Sequence, residues 1–256
     1  MRSHAEVDAD ALEQPLLSVE RSARPVRPDG RGGPQLIPHP PAVQPGDPAP
    51  WAAASPDLRR PSLADLVAAV RGAPPPRPWP GSAPPGQRRE SAVLVPLYEH
   101  EGEPFVVLTR RSWELRSHQG EVSFPGGVIE PGESARDAAL REAHEEIALD
   151  PSTVDVVGEL DHLATFSSRA MIMPFVGVLA GRPQLTPSPH EVDAVLHVPI
   201  AELLLPEIYR EERWGWEDTL RPLSFFDLVG DTVWGATAAI LRHLLTLVTA
   251  TAKSTD

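Results

Sequence analysis

Prolines divide this chain before any motif is considered. Nineteen of its 31 prolines fall in residues 1–90 of 256. Each proline fixes φ and removes a backbone donor, so a packed core does not tolerate that density. Residues 1–57 show no hydrophobic periodicity. Runs such as Pro38-His39-Pro40-Pro41 and Pro45-Gly46-Asp47-Pro48-Ala49-Pro50 predict a disordered, polyproline-like extension. Such a tail either docks to a proline-binding partner or is an unselected appendage. Residues 58–88 read as a short helix and a Pro-rich linker. Ser62 can cap SLADLVAAVR, Leu63, Leu66, Val67 and Val70 share a face, and Gly72 ends it. Residues 89–250 suit one ordinary domain.

Charge follows the same division. Residues 1–90 carry 11 basic and 10 acidic side chains, which leaves 12 basic and 26 acidic in 91–256. A domain with a net charge of −14 lacks the basic footprint of sequence-independent nucleic-acid binding. An anionic substrate would need metal ions or local arginines to offset the repulsion. The chain has no cysteine, which excludes disulfides, thiolate metal sites and cysteine nucleophiles. MRSHAEVDADALEQPLL lacks the apolar stretch of a signal peptide, and Ala236–Ala252 carries Arg242 and His243 in its middle. That segment reads as a packed helix, because a spanning helix needs about 20 mostly apolar residues. A cytoplasmic location with no membrane partner is therefore expected.

Hydrophobic patterning places strands at 92–98, 104–109, 154–160, 172–179 and 192–198. A short helix is expected near 200–205, a hairpin over 223–228 and 232–234, and a closing helix over 236–249. Few, unevenly placed helices argue for a mixed sheet sandwiched between helices.

The chemistry concentrates in GGVIEPGESARDAALREAHEEIAL, residues 126–149. Pro131-Gly132 marks a turn, Ser134 can cap, and a helix runs on to about Ile147. Glu142, Glu145 and Glu146 at i, i+3 and i+4 share a helical face, while Ala135, Ala139, Ala143 and Ile147 form a small-residue stripe suited to close packing. Like charges at this spacing repel, by a few tenths of a kcal/mol per pair. Hard divalent cations, which prefer carboxylate oxygens, would compensate. A charged run alone is usually just a solvated face.

The stretch resembles the Nudix box, G-x5-E-x7-R-E-U-x-E-E-x-G-U, with U a bulky aliphatic residue. Gly127, Glu133, Arg141, Glu142, Glu145 and Glu146 match six of its seven fixed polar or glycine positions, and Leu149 its last U. With average usage near one in fifteen per position, a chance match is on the order of one in ten million per start. Ala143 and Ala148 depart from the pattern, standing where it has an aliphatic residue and a glycine. Upstream, LTRRSWELRSHQGEVSFPGG (108–127) is similar to the signature of the coenzyme A pyrophosphatase branch. HEVDAVLHVPIAELL (190–204) and FFDLVGDTVWGATAAIL (225–241) extend the similarity. SSRAMIMP (167–174) lacks the glycine that this branch implies after the serine.

The resemblance implies a Nudix-type α/β/α sandwich and Mg²⁺- or Mn²⁺-dependent hydrolysis of a pyrophosphate. With coenzyme A the products would be 3′,5′-ADP and 4′-phosphopantetheine. It implies Glu142 and Glu146 as metal ligands, Glu145 as a third, and the Gly127 carbonyl as a further oxygen. Glu133 and Arg141 are expected to form an orienting ion pair. Glu145 and Glu191 are both candidates for the general base. Arg110, Arg111 and Arg116 are candidates for phosphate recognition, since guanidinium forks suit phosphate oxygens. His118 and His144 read as packing or solvent residues. Hydrolysis of another substrate such as ADP-ribose is the nearest alternative, and a non-catalytic sensor or scaffold is the alternative in a different class. Removal of residues 1–57 is expected to leave turnover nearly unchanged.

Overall fold

A computed structural model of the chain describes residues 30–78, 89–165, 170–216 and 219–251. In chain order it contains β1 (Val43–Pro45), α1 (Leu63–Arg71), β2 (Arg89–His100), β3 (Glu103–Arg111), β4 (Val122–Ser123), β5 (Gly126–Val128) and α2 (Ala135–Ile147). There follow β6 (Asp155–Glu159), β7 (Leu163–Ala164), β8 (Ala170–Val178), β9 (Val192–Pro199), α3 (Ile200–Leu203), β10 (Tyr209–Trp216), β11 (Thr219–Asp227), β12 (Thr232–Trp234) and α4 (Gly235–Thr251).

The larger sheet is mixed, as the patterning predicts. Strand β2 pairs in parallel with β8 and antiparallel with β3 and β5, and β3 also pairs antiparallel with β9. Strand period explains its two buried faces. Ala92, Leu94 and Tyr98 of β2 join Ala138, Ala139, Ala143 and Ile147 of α2 in one core. Val95 and Leu97 face the other way, into a core shared with α1 and α4. The small-residue stripe of α2 thus lets the helix lie close against the central strand. Among the described residues no helix is long and apolar enough to cross a membrane.

The second sheet, in the order β1-β10-β11-β12, contains the expected hairpin as β11 and β12 but also a strand the sequence reading did not place. YREERWGW carries too many charges to read as a strand, yet it is β10. Glu211 and Glu212 are buried there because they have partners. Glu211 Oε1 accepts from the Asp47 amide at 3.1 Å. Glu212 receives Arg210 and, at 2.8 Å, the Trp214 indole N–H.

Residues 30–57 also depart from expectation, because they are folded against the domain. Val43–Pro45 adds an edge strand to β10, the one sheet position where proline costs no ladder bond. Trp51 is 1% exposed, stacked on Phe226 with ring centroids 6.1 Å apart. Gln35 is equally buried. Proline density suppressed local structure here, but a few anchored side chains hold the segment down. The Pro45–Pro50 run therefore begins within a paired strand. Helix α1 forms as read, with a reciprocal Ser62–Asp65 capping box. The remainder of the expected extension (1–29), residues 79–88 of the linker, and 166–169, which include the start of SSRAMIMP, lie outside the described residues.

Candidate active site

Helix α2 begins where the sequence places it. Ser134 Oγ accepts the Asp137 amide at 3.1 Å and donates to its carboxylate at 2.6 Å. The helix ends at Ala148, whose φ of 55° is the left-handed geometry that the missing glycine would have taken without cost. His144 Nδ1 lies 3.2 Å from the Leu149 carbonyl oxygen, so this histidine dresses the helix end.

Arg141 organises the carboxylates. Its Nε and Nη2 grip Glu133 at 2.9 and 3.1 Å, the orienting pair expected from the sequence. Its Nη1 also reaches Glu142 at 2.9 Å and Glu145 at 3.0 Å, and Nη2 donates to the Val128 carbonyl at 3.2 Å. One guanidinium thus ties the loop before α2 to two of the three carboxylates. The Glu133 carboxyl is held below its usual range by Arg141 and by the Glu130 amide.

Glu146 is the deepest member of the trio, 4% exposed. Burial pushes its pKa up to about 8, against the lowering effect of Arg111 and of the Gly126 amide at 3.3 Å. The charges of Glu142 and Glu191 raise it further. Burial also raises Glu142, opposed by Arg141 and assisted by Glu145 and Glu191. Glu191, a candidate base, therefore stands within electrostatic reach of two of the trio. The loop that carries it is latched to the end of α2: Thr186 donates to the Ile147 carbonyl at 3.0 Å and Ser188 to that of Glu146 at 2.7 Å.

Gly127 has a steric role as well. A Cβ there would meet the Glu142 carboxylate, so glycine leaves room for that side chain in its present position.

The arginines separate by strand parity. Arg111 shares the α2 face of β3 and acts on Glu146; its Nε is buried without a hydrogen-bond partner. Arg110 points to the opposite face, where it pairs with Asp193 at 2.8 Å and Asp231 at 3.0 Å. It is not brought to the carboxylates. Arg116 is exposed in the loop between β3 and β4. His118, with φ of 57°, bonds Glu121 at 2.8 Å.

The donor set suits a hard divalent cation: carboxylate oxygens, no thiolate, and a buried carboxyl that such a cation would deprotonate. Among the described residues no three acidic or histidine side chains already converge at ligating geometry. Arg141 holds one oxygen each of Glu142 and Glu145, which leaves the second oxygen of each carboxylate for a cation.

Sequence reasoning missed one participant. Gln35 bonds to the loop that leads into the box, a contact that spans 85 positions and leaves no local signal. Trp113, one of five tryptophans from Trp79 onward that read as packing residues or as a stacking surface for adenine, stands exposed in the same loop.

Comparison with known proteins agrees with this geometry. A NUDIX domain model matches residues 88–218. Nudix hydrolase 22, chloroplastic, of Arabidopsis thaliana is 42% identical over 172 residues, covering 62% of this chain and 55% of that protein. Nudix hydrolase 15, mitochondrial, of the same plant is 40% identical over 165 residues, covering 60% and 56%. The uncharacterized Nudix hydrolase NudL of Yersinia enterocolitica is 37% identical over 176 residues, covering 66% and 85%. The chain thus spans about half the length of the two plant relatives and most of the bacterial one. With the box's six matching positions spread over β5, the following loop and α2, a model match over half of its length and relatives at this identity, the chain belongs to the Nudix hydrolase family.

Proposed function

We propose that this chain is a pyrophosphohydrolase that cleaves coenzyme A or an acyl-CoA into 3′,5′-ADP and (acyl-)4′-phosphopantetheine. The observation that carries the hydrolytic reading is Glu146, a buried carboxyl crowded by Glu142 and Glu191 and facing Arg111. Groups so perturbed concentrate at functional sites. The narrower assignment to coenzyme A rests on LTRRSWELRSHQGEVSFPGG, the segment that delivers Arg111 to this site.

Glu142, Glu145 and Glu146, with the Gly127 carbonyl, would hold Mg²⁺ or Mn²⁺, which supplies charge neutralisation for phosphate oxygens and acidifies water. The chain's own groups do the rest. Arg111, whose buried Nε has no hydrogen-bond partner within the fold, is the arginine placed to meet the diphosphate. Glu145 or Glu191 accepts the proton of the attacking water. Arg141 and Glu133 keep the carboxylates in place between turnovers. The Nudix partner is thus a small molecule.

Product analysis tests the proposal. Incubation with coenzyme A and Mg²⁺ or Mn²⁺ should release equal amounts of 3′,5′-ADP and 4′-phosphopantetheine. Faster turnover of ADP-ribose at matched Mg²⁺ would transfer the assignment to that substrate, and no hydrolysis of either would end it.

A further inference from the structure

A cavity of about 380 Å³ is lined by Ser112, Trp113, Glu114, Pro187, Pro189, Val192 and Asp193. It lies at the end of the β3–β9 pair. Arg111 is in register with Val192, and the Ser112 amide donates to the Glu191 carbonyl at 2.8 Å. The cavity therefore begins one residue beyond Arg111 and Glu191, the two groups outside α2 whose charges reach Glu146. Its size lies in the range of small-molecule sites.

Trp113 gives the cavity its character. The indole is 38% exposed, so part of its face is open to a ligand. Its six-membered ring rests on Gly120, where any Cβ would collide with it. Gly120 has φ of 65°, and its carbonyl accepts from Gln35 Nε2 at 3.1 Å. The ring is thus supported from behind and open in front.

The charges that line the cavity decide what it accepts. Glu114 and Asp193 are both anionic, and Asp193 is held by Arg110. Neither lysine nor arginine lines it, so a phosphate is repelled. A flat, uncharged ring that carries N–H donors suits such a lining, since it can stack on the indole and donate to a carboxylate. We propose that this cavity binds the base of the substrate's nucleotide half, with Trp113 as the stacking surface and Glu114 as acceptor for an exocyclic amino group. The assignment rests on the reading of the site as one that cleaves a nucleoside diphosphate derivative.

Binding of products tests it without relying on turnover. Calorimetric titrations in Mg²⁺ would compare 3′,5′-ADP, 4′-phosphopantetheine and ribose 5-phosphate on the unsubstituted chain, Trp113→Ala and Trp113→Phe. Loss of a stacking partner should weaken 3′,5′-ADP about tenfold or more in Trp113→Ala, and Trp113→Phe should recover most of it. The other two ligands should be unaffected by either change. Equal affinity of Trp113→Ala for 3′,5′-ADP, or no affinity in the unsubstituted chain, would overturn the proposal. So would a selective loss of 4′-phosphopantetheine, which would give the cavity to the pantetheine arm. Failure of the catalytic reading would appear separately, as absent hydrolysis of coenzyme A alongside intact, Trp113-dependent binding.

Discussion

Gln35 Nε2 donates to the Gly120 carbonyl at 3.1 Å, joining the proline-rich segment to the loop that precedes the Nudix box. The same nitrogen donates to Asp231 Oδ1 at 2.7 Å, and Gln35 Oε1 accepts the Thr232 amide at 2.8 Å. Asp231 in turn holds Arg110. One buried amide, itself outside the stretch matched by the family model, therefore ties the loop at Gly120 within that stretch to Asp231 and Thr232 beyond it.

Gln35→Ala should lower stability by about 2 kcal/mol, because it orphans a buried amide and a buried carbonyl. Chemical denaturation would measure this. Truncation separates the two parts of the N-terminal region. Removal of residues 1–29 should leave the melting temperature unchanged, whereas removal of 1–57 should lower it sharply, since Trp51, Gln35 and β1 leave with it.

Glu142→Gln and Glu146→Gln should each reduce hydrolysis by several orders of magnitude while far-ultraviolet circular dichroism stays unchanged. Each variant keeps the shape of the side chain and loses the charge that holds a cation. Near-normal turnover in either would refute the metal-ligand assignment. A chelator should likewise stop the reaction of the unsubstituted chain.

Stability without metal should fall as pH rises. The Glu146 carboxyl has its pKa raised from 4.5 to about 8. Between those values the folded chain keeps a proton that the unfolded chain has released, so stability is full below the lower value and is lost toward the upper. The total change is on the order of a few kcal/mol. Urea midpoints in chelator from pH 5 to 8.5 would record it, and Glu146→Gln should flatten the slope. Saturating Mg²⁺ should oppose it, because cation binding displaces the proton.

Arg141→Lys should lower kcat about ten- to a hundredfold with little effect on global stability. A lysine cannot hold Glu133 with a fork and reach Glu142 and Glu145 as well. Steady-state kinetics with a melting control would check this.

Ala148→Gly should stabilise the domain by roughly 0.5–1 kcal/mol, since alanine pays for left-handed geometry that glycine adopts freely. Denaturation midpoints would show it, and activity should not change.

Much of the site was legible in residue spacing. The box fixed the helix, its cap, the shared face of Glu142, Glu145 and Glu146, and the Glu133–Arg141 pair, because helical neighbours at three and four positions are set by local geometry. The central strands and the small-residue stripe of α2 were equally legible, since burial imposes a period on the sequence. Local pattern could not decide which arginine meets the carboxylates. Arg110 and Arg111 differ only in strand parity, and the tertiary structure gave one to Asp231 and the other to Glu146. Nor could it show that residues 30–57 are folded, or that YREERWGW is a strand: their buried polar groups are satisfied by partners far away in sequence, and a bond between Gln35 and Gly120 has no period to betray it.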